Sequence, residues 1–197
     1  MENRYRQMLI DQKTHETIDS AKRLISRISG QKLSSRDVIN EFVGRKLRFL
    51  EIDHDIRAYI NAFASEAVLD RAVAGLMLFG SVAKGSFGKL SDIDMLVVVE
   101  GSAMGSFDSI ERAINNVERL RKPFVSKGFN LRIRPLILST EELARFRPIY
   151  IDFLEDGIVL FERNEVIFNF LNDIRKNVKY ERSIRGNSVV VTWKIRG

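Results

Sequence analysis

Cysteine is absent from the chain, and only two histidines, three prolines and one tryptophan occur among its 197 residues. Without cysteine there is no disulfide framework, no thiolate zinc site and no cysteine nucleophile. His15 and His54 alone do not supply a histidine metal cluster or a Ser-His-Asp triad. No apolar run approaches the ~18 residues of a membrane span. The opening MENRYRQMLIDQ lacks the apolar centre of a signal peptide. The expectation is a cytoplasmic protein with no membrane partner. No Pro- or Gly-rich linker divides the chain, so a boundary near residue 50 is soft.

What is present is ordinary in amount and uneven in placement. A hydrophobic share of 45% with 29% charged residues fits a soluble globular protein of one or two domains. The net charge of +6 is not spread evenly. Residues 1–50 carry 11 Lys/Arg against 6 Asp/Glu, whereas residues 51–100 carry 4 against 8. The basic ends suit polyanions, either nucleotide or nucleic acid.

The acidic quarter contains the most informative stretch, LFGSVAKGSFGKLSDIDMLVVVE, residues 78–100. An apolar strand, Ala74 to Phe79, runs into Gly80-Ser81. Lys84, Gly85, Gly88 and Lys89 follow. Ser91-Asp92-Ile93-Asp94 then leads into a second apolar strand, Met95 to Val99. Side chains alternate faces along a strand, so Asp92 and Asp94 share one face. Two carboxylates that close repel each other, and at the mouth of a buried strand they need a cation between them. Mg²⁺ (or Mn²⁺) takes one or two carboxylates together with phosphate oxygens. Gly80 permits a sharp turn and close approach of a ligand. Ser81 begins a helix whose free N–H groups suit an anion, and Lys84 and Lys89 add positive charge nearby.

This pattern resembles the nucleotidyltransferase superfamily that includes DNA polymerase β, and in particular its small minimal members. The match rests on Gly80, Ser81, Asp92 and Asp94, set in GSVAKG…SDIDMLVVV between two apolar strands. The segment PIYIDFLEDGIVLFER is similar to the tail of those small members. The resemblance implies an α+β fold, a small mixed sheet backed by helices, over residues 51–197. It implies Asp92 and Asp94 as catalytic metal ligands and an NTP, ATP first, as substrate. Gly80, Ser81, Lys84, Lys89, Ser91, Arg132 and Arg134 are the expected nucleotide-binding residues. One departure stands out. Many active members carry a third carboxylate on the third strand, where this chain offers Arg132 and Arg134 in NLRIRPLIL. Those arginines either grip phosphate or neutralise Asp92 and Asp94 directly. Glu141, Glu142 or the substrate's own phosphate would then replace the missing carboxylate.

Residues 1–50 read as strand, helix, helix. RYRQMLI forms the strand, and helices follow over 14–29 and from Ser34 or Ser35 to about 47. This order is similar to the ribbon-helix-helix DNA-binding family, with LSSRDVINEFV as its second helix. The resemblance implies a homodimer whose Arg4, Arg6 and Met8 face DNA and whose Ser34 and Ser35 hold phosphate. The alternative is a helical dimerisation segment. Further along, the pattern predicts helices over 51–73, 107–122 and 164–180. It predicts strands over 129–138, from Ile158, and over 188–195. His54 is expected on a helix surface and Trp193 in packing.

Two functions compete. The first is metal-dependent transfer of a nucleoside monophosphate to a hydroxyl on a protein, a small molecule or a nucleic acid. Small members of the superfamily often modify a toxin encoded beside them, so a partner protein is among the expected acceptors. The second is an inactive nucleotide-binding, DNA-binding regulator.

Overall fold

The computed structural model describes residue 49 and residues 52–185 and 188–195, all within one compact unit spanning Arg45–Gly197. The strand-helix-helix reading of residues 1–50, with its DNA contacts and its dimer, falls almost wholly outside the described residues. The elements are α1 (His54–Ala67), β1 (Val73–Phe79), α2 (Gly80–Lys84), β2 (Ile93–Val99) and α3 (Ala103–Val117). A 3-10 turn (Glu118–Arg121) leads into α4 (Lys122–Ser126), β3 (Ile133–Ser139) and α5 (Thr140–Leu143). α6 (Tyr150–Asp156), β4 (Ile158–Glu162), α7 (Val166–Asn177), β5 (Val178–Arg185) and β6 (Ser188–Ile195) complete it.

Four strands form a mixed sheet in the order β3-β2-β1-β4. β1 is antiparallel to both β2 and β4, and β2 is parallel to β3. All seven residues of β1 are buried, and in β2 only Asp94 is not. That explains why both read as continuous apolar runs: each is a central strand covered on both faces. On one face Leu76, Leu78, Ile93, Met95 and Val97 pack against α1 and α3 through Ile56, Ile60, Phe63 and Ile110. On the other, Met77, Phe79, Leu96 and Val98 meet Tyr150, Phe153, Ile167 and Phe170 of α6 and α7. Asp94 alternates with Leu96 and Val98, so it lies on the α6/α7 face at the open end of that core. Burying each aliphatic side chain of these strands stabilises the fold by roughly 1.5–3 kcal/mol. The sheet therefore holds the one carboxylate in the row rigidly.

Several element boundaries differ from the sequence reading. The helix expected over 51–73 stops at Ala67. Asp70 accepts the Ala72 N–H at 2.9 Å and so makes a turn that releases Val73 into the sheet. Helix α3 starts at Ala103, ahead of the expected Phe107, and gives way after Val117 to the 3-10 turn. Pro123 does not end the helical run; it sits in the first turn of α4, where its missing N–H costs nothing. The third strand begins at Ile133, because Leu131 adopts a positive φ of 39° that breaks the extended run. Ser139, the last residue of β3, caps α5 by accepting the Glu142 N–H, and the Glu142 carboxylate accepts the Ser139 N–H in return. Helix α7 ends at Asn177, and Val178 to Tyr180 belong to β5, which pairs with β6 in a hairpin apart from the main sheet. No helix among the described residues is long and apolar enough to cross a membrane.

Candidate active site

The sheet brings Phe79, at the end of β1, opposite Asp94, at the start of β2, and Arg134 of β3 flanks Asp94 on the other side. Gly80 follows Phe79 with φ +72°, a left-handed conformation that glycine alone adopts without strain. A Cβ built there would lie 2.2 Å from Asp94 Oδ2, inside contact distance. Gly80 is therefore required twice, for the turn and for the space the carboxylate fills. Gly80 and Ser81 open α2, whose first turn has no side-chain cap; its N–H groups face no competing oxygen from Phe79.

Asp92 lies just before β2 and keeps 21% of its side chain exposed. Its Oδ2 is 3.2 Å from Arg134 Nη1, and its Oδ1 accepts the Asn130 Nδ2–H at 3.1 Å. Asp94 is pushed above the usual carboxylate range. Burial is the main cause and the Asp92 charge the second, while Arg134 pulls the other way. Asp94 is thus short of positive charge even with Arg134 in place. This donor set fits a divalent cation: two hard carboxylate oxygen donors on one sheet edge, beside the left-handed turn at Gly80. Asp92 and Asp94 would hold such an ion.

The remaining expected residues divide. Arg134 joins the carboxylates. Its side chain is 72% exposed. Arg132 is exposed, and its carbonyl accepts the Ile93 N–H. Ser91 works locally, its Oγ accepting the Gly88 N–H at 2.9 Å to close the turn ahead of Asp92. Lys89 is exposed, and its carbonyl accepts the Asn130 N–H at 2.7 Å. Lys84 points to α6, with Nζ 3.3 Å from Asp152 and 3.4 Å from Asp156. Glu141 and Glu142 follow the far end of β3. Between Arg134 and Ser139 lie five strand steps, about 17 Å, so neither glutamate stands in for a third carboxylate.

Two features escape the sequence reading. The first is a chain of polar contacts behind Asp92. The buried Tyr59 hydroxyl donates to Glu118 Oε2 at 3.4 Å, and Arg121 Nε donates to Glu118 Oε1 at 2.6 Å. Arg121 Nη1 donates to the Asn130 carbonyl at 2.9 Å, and the Asn130 side chain donates to Asp92. Burial, then the Glu118 charge, push the Tyr59 hydroxyl up to about 12, so it stays a donor. The only signal in the sequence was an Asn preceding the third strand, which is common in turns. The second is an acidic cluster on α6, Asp152, Glu155 and Asp156. Lys84 and Arg182 already neutralise it; Arg182 lies 2.8 Å from Asp152 and 2.7 Å from Glu155. It is a latch between α2, α6 and the hairpin.

None of the curated proteins matches the chain by sequence. Two solved structures resemble it weakly. One is a toxin-antitoxin with AMP-PNP: 15% identity, 56% of this chain and 80% of the other covered, TM-score 0.36. The other is a protein from Sulfolobus solfataricus assigned as a nucleotidyltransferase: 18% identity, 61% and 89% covered, TM-score 0.30. The model of the nucleotidyltransferase domain matches residues 60–184, more than half of the chain and all of the sheet. With Gly80, Asp92 and Asp94 assembled within that span, the chain belongs to the nucleotidyltransferase domain family.

Proposed function

We propose that the domain transfers a nucleoside monophosphate from an NTP, ATP first among those to test, to a hydroxyl acceptor. The observation that carries this reading is the Asp94 carboxylate set against Cβ-free Gly80 beside Asp92. Asp92 and Asp94 would hold the divalent cation, and the N–H groups of Gly80 and Ser81 would receive phosphate oxygens. When bound, the cation neutralises charge on the triphosphate and lowers the pKa of the attacking hydroxyl. The acceptor oxygen forms a bond to the α-phosphorus. The bond from the α-phosphorus to the bridging oxygen breaks, pyrophosphate leaves with the electron pair, and the hydroxyl proton passes to water. Asn130 fixes the Asp92 carboxylate by donating to it, and the largely exposed Arg134 side chain beside Asp92 would be within the reach of incoming phosphates.

The test is transfer of label from α-³²P-labelled NTPs with Mg²⁺ or Mn²⁺, with and without cell lysate as acceptor source. Metal-dependent label on a macromolecule, lost in Asp92→Ala/Asp94→Ala, is expected. A second reading has its own observation. Arg134 at 3.2 Å from Asp92 Oδ2 is an internal counter-ion where the metal belongs. An inactive nucleotide binder follows if wild type binds nucleotide, transfers no label, and gains none in Arg134→Ala.

A further inference from the structure

Asp94 and Asp92 are held in different ways. Asp94 lies within β2, paired on both sides, so the sheet fixes its backbone. Asp92 lies one residue ahead of β2, and its carboxylate is held by Asn130, whose Nδ2–H it accepts at 3.1 Å. Asn130 is itself gripped on its backbone. Its N–H donates to the Lys89 carbonyl at 2.7 Å, and its carbonyl accepts Arg121 Nη1–H at 2.9 Å. The next residue, Leu131, donates its N–H to the Ser91 carbonyl at 3.0 Å. Leu131 is 1% exposed and has a φ of 39°, a conformation that leucine keeps only where its surroundings impose it. The backing comes from Arg121, whose side chain is 13% exposed. Its Nε and Nη2 both lie 2.6 Å from Glu118 Oε1, which leaves Nη1 for the Asn130 carbonyl. A guanidinium is planar and rigid, so fixing one edge sets the direction of the other. Glu118 is anchored in turn. Its Oε2 accepts the hydroxyl of fully buried Tyr59, whose ring centroid is 6.0 Å from that of Phe124. Because the Arg121 charge is spent on Glu118, what reaches Asp92 along this chain is a neutral amide. It orients the carboxylate without neutralising it, unlike the Arg134 guanidinium at 3.2 Å.

We propose that Arg121 is a positioning residue for the carboxylate pair: acting through Asn130, it does for Asp92 what strand pairing does for Asp94. The proposal rests on the reading of Asp92 and Asp94 as cation ligands and names what sets the strength of their grip. Partners that orient metal ligands from behind typically account for about 10–100-fold in metal affinity. The sign of the effect separates this role from one of charge. Through charge alone, removing a cation near a metal site leaves metal affinity unchanged or raises it. Removing the brace lowers it, because Asp92 then loses its fixed orientation.

The experiment titrates the full chain with Mn²⁺ and reads free ion by electron paramagnetic resonance, with thermal unfolding of each variant as the check on folding. Arg121→Ala and Asn130→Ala are each expected to weaken Mn²⁺ binding about tenfold. The double variant should be no weaker than either single one, because the two residues act in series. Arg121→Lys keeps a charge beside Glu118 but lacks the fork, and is expected to fall by a similar factor. Arg119→Ala removes the neighbouring exposed charge and should stay within about twofold of wild type. If Arg121→Ala does not fold, Arg121→Lys and Asn130→Ala carry the test. The proposal is overturned if Arg121→Ala is folded and binds Mn²⁺ like wild type, or if Arg121→Lys does. It is also overturned if the losses from Arg121→Ala and Asn130→Ala add in the double variant. A different outcome strikes the reading beneath it: wild-type Mn²⁺ binding that is absent, or unaltered in Asp92→Ala/Asp94→Ala, removes the cation site and the proposal with it.

Discussion

Gly80 shows how much one missing methyl group decides. Its φ of +72° costs an L-residue roughly 1–2 kcal/mol. The absent Cβ also makes the space that the Asp94 carboxylate occupies. Gly80→Ala is therefore expected to lose about 1–2 kcal/mol of stability and to displace Asp94, abolishing Mn²⁺ binding. An electron paramagnetic resonance titration with Mn²⁺ checks this. Wild-type affinity in the variant would mean that the turn can relax without moving the carboxylate. The sequence showed Gly-Ser ahead of Asp-x-Asp. It did not show that Asp94 rather than Asp92 faces the glycine, because that depends on the register that sets Phe79 opposite Asp94.

At the scale of elements, the connections carry as much as the strands. The turn between α1 and β1 is pinned to α3, because the Ser109 hydroxyl donates to Asp70 Oδ2 and the Ala72 N–H donates to Oδ1. The Ser109 hydrogen bond is the main reason that Asp70 sits below its ordinary 3.8. A carboxyl lowered on folding stabilises the native state above its unfolded pKa, and that contribution is lost as pH falls through the folded value. Ser109→Ala is thus expected to lower stability by about 1–2 kcal/mol near neutral pH, with the gap to wild type closing below pH 3.8. Urea unfolding across that range measures it, and a gap independent of pH would place the effect in packing. The helix periodicity of α1 and α3 was legible in the sequence; this cross-link was not, since Asp70 and Ser109 are separated by all of β1 and β2.

For the molecule as a whole, the hairpin β5–β6 is separate from the main sheet and is tied to α6 by Arg182 through Asp152 and Glu155. Trp193 adds a ring contact with Phe146, with centroids 6.2 Å apart, in line with the packing role expected of it. Partly exposed ion pairs of this kind contribute about 1 kcal/mol or less each. Arg182→Ala should therefore leave the global melting temperature nearly unchanged while hydrogen exchange speeds up across Val178–Arg185 and Ser188–Ile195. Unchanged exchange there would mean that the packing of Val178, Tyr180 and Trp193 holds the hairpin without the ion pairs.

The sequence by itself determined the two central strands, the Gly-Ser turn and the Asp-x-Asp edge. Each is a local pattern: continuous apolar residues for strands buried on both faces, and a carboxylate pair that apolar packing does not tolerate without a cation. The tertiary structure alone decided which charges meet. It turned Lys84 from the expected phosphate site to the α6 carboxylates and brought Arg134 to Asp92. It set Glu141 and Glu142 at the opposite end of the sheet from Asp94. It also linked Arg121 through Asn130 to Asp92. Charged side chains are long and leave no periodic trace, so their partners follow from strand order and register, which local sequence does not encode.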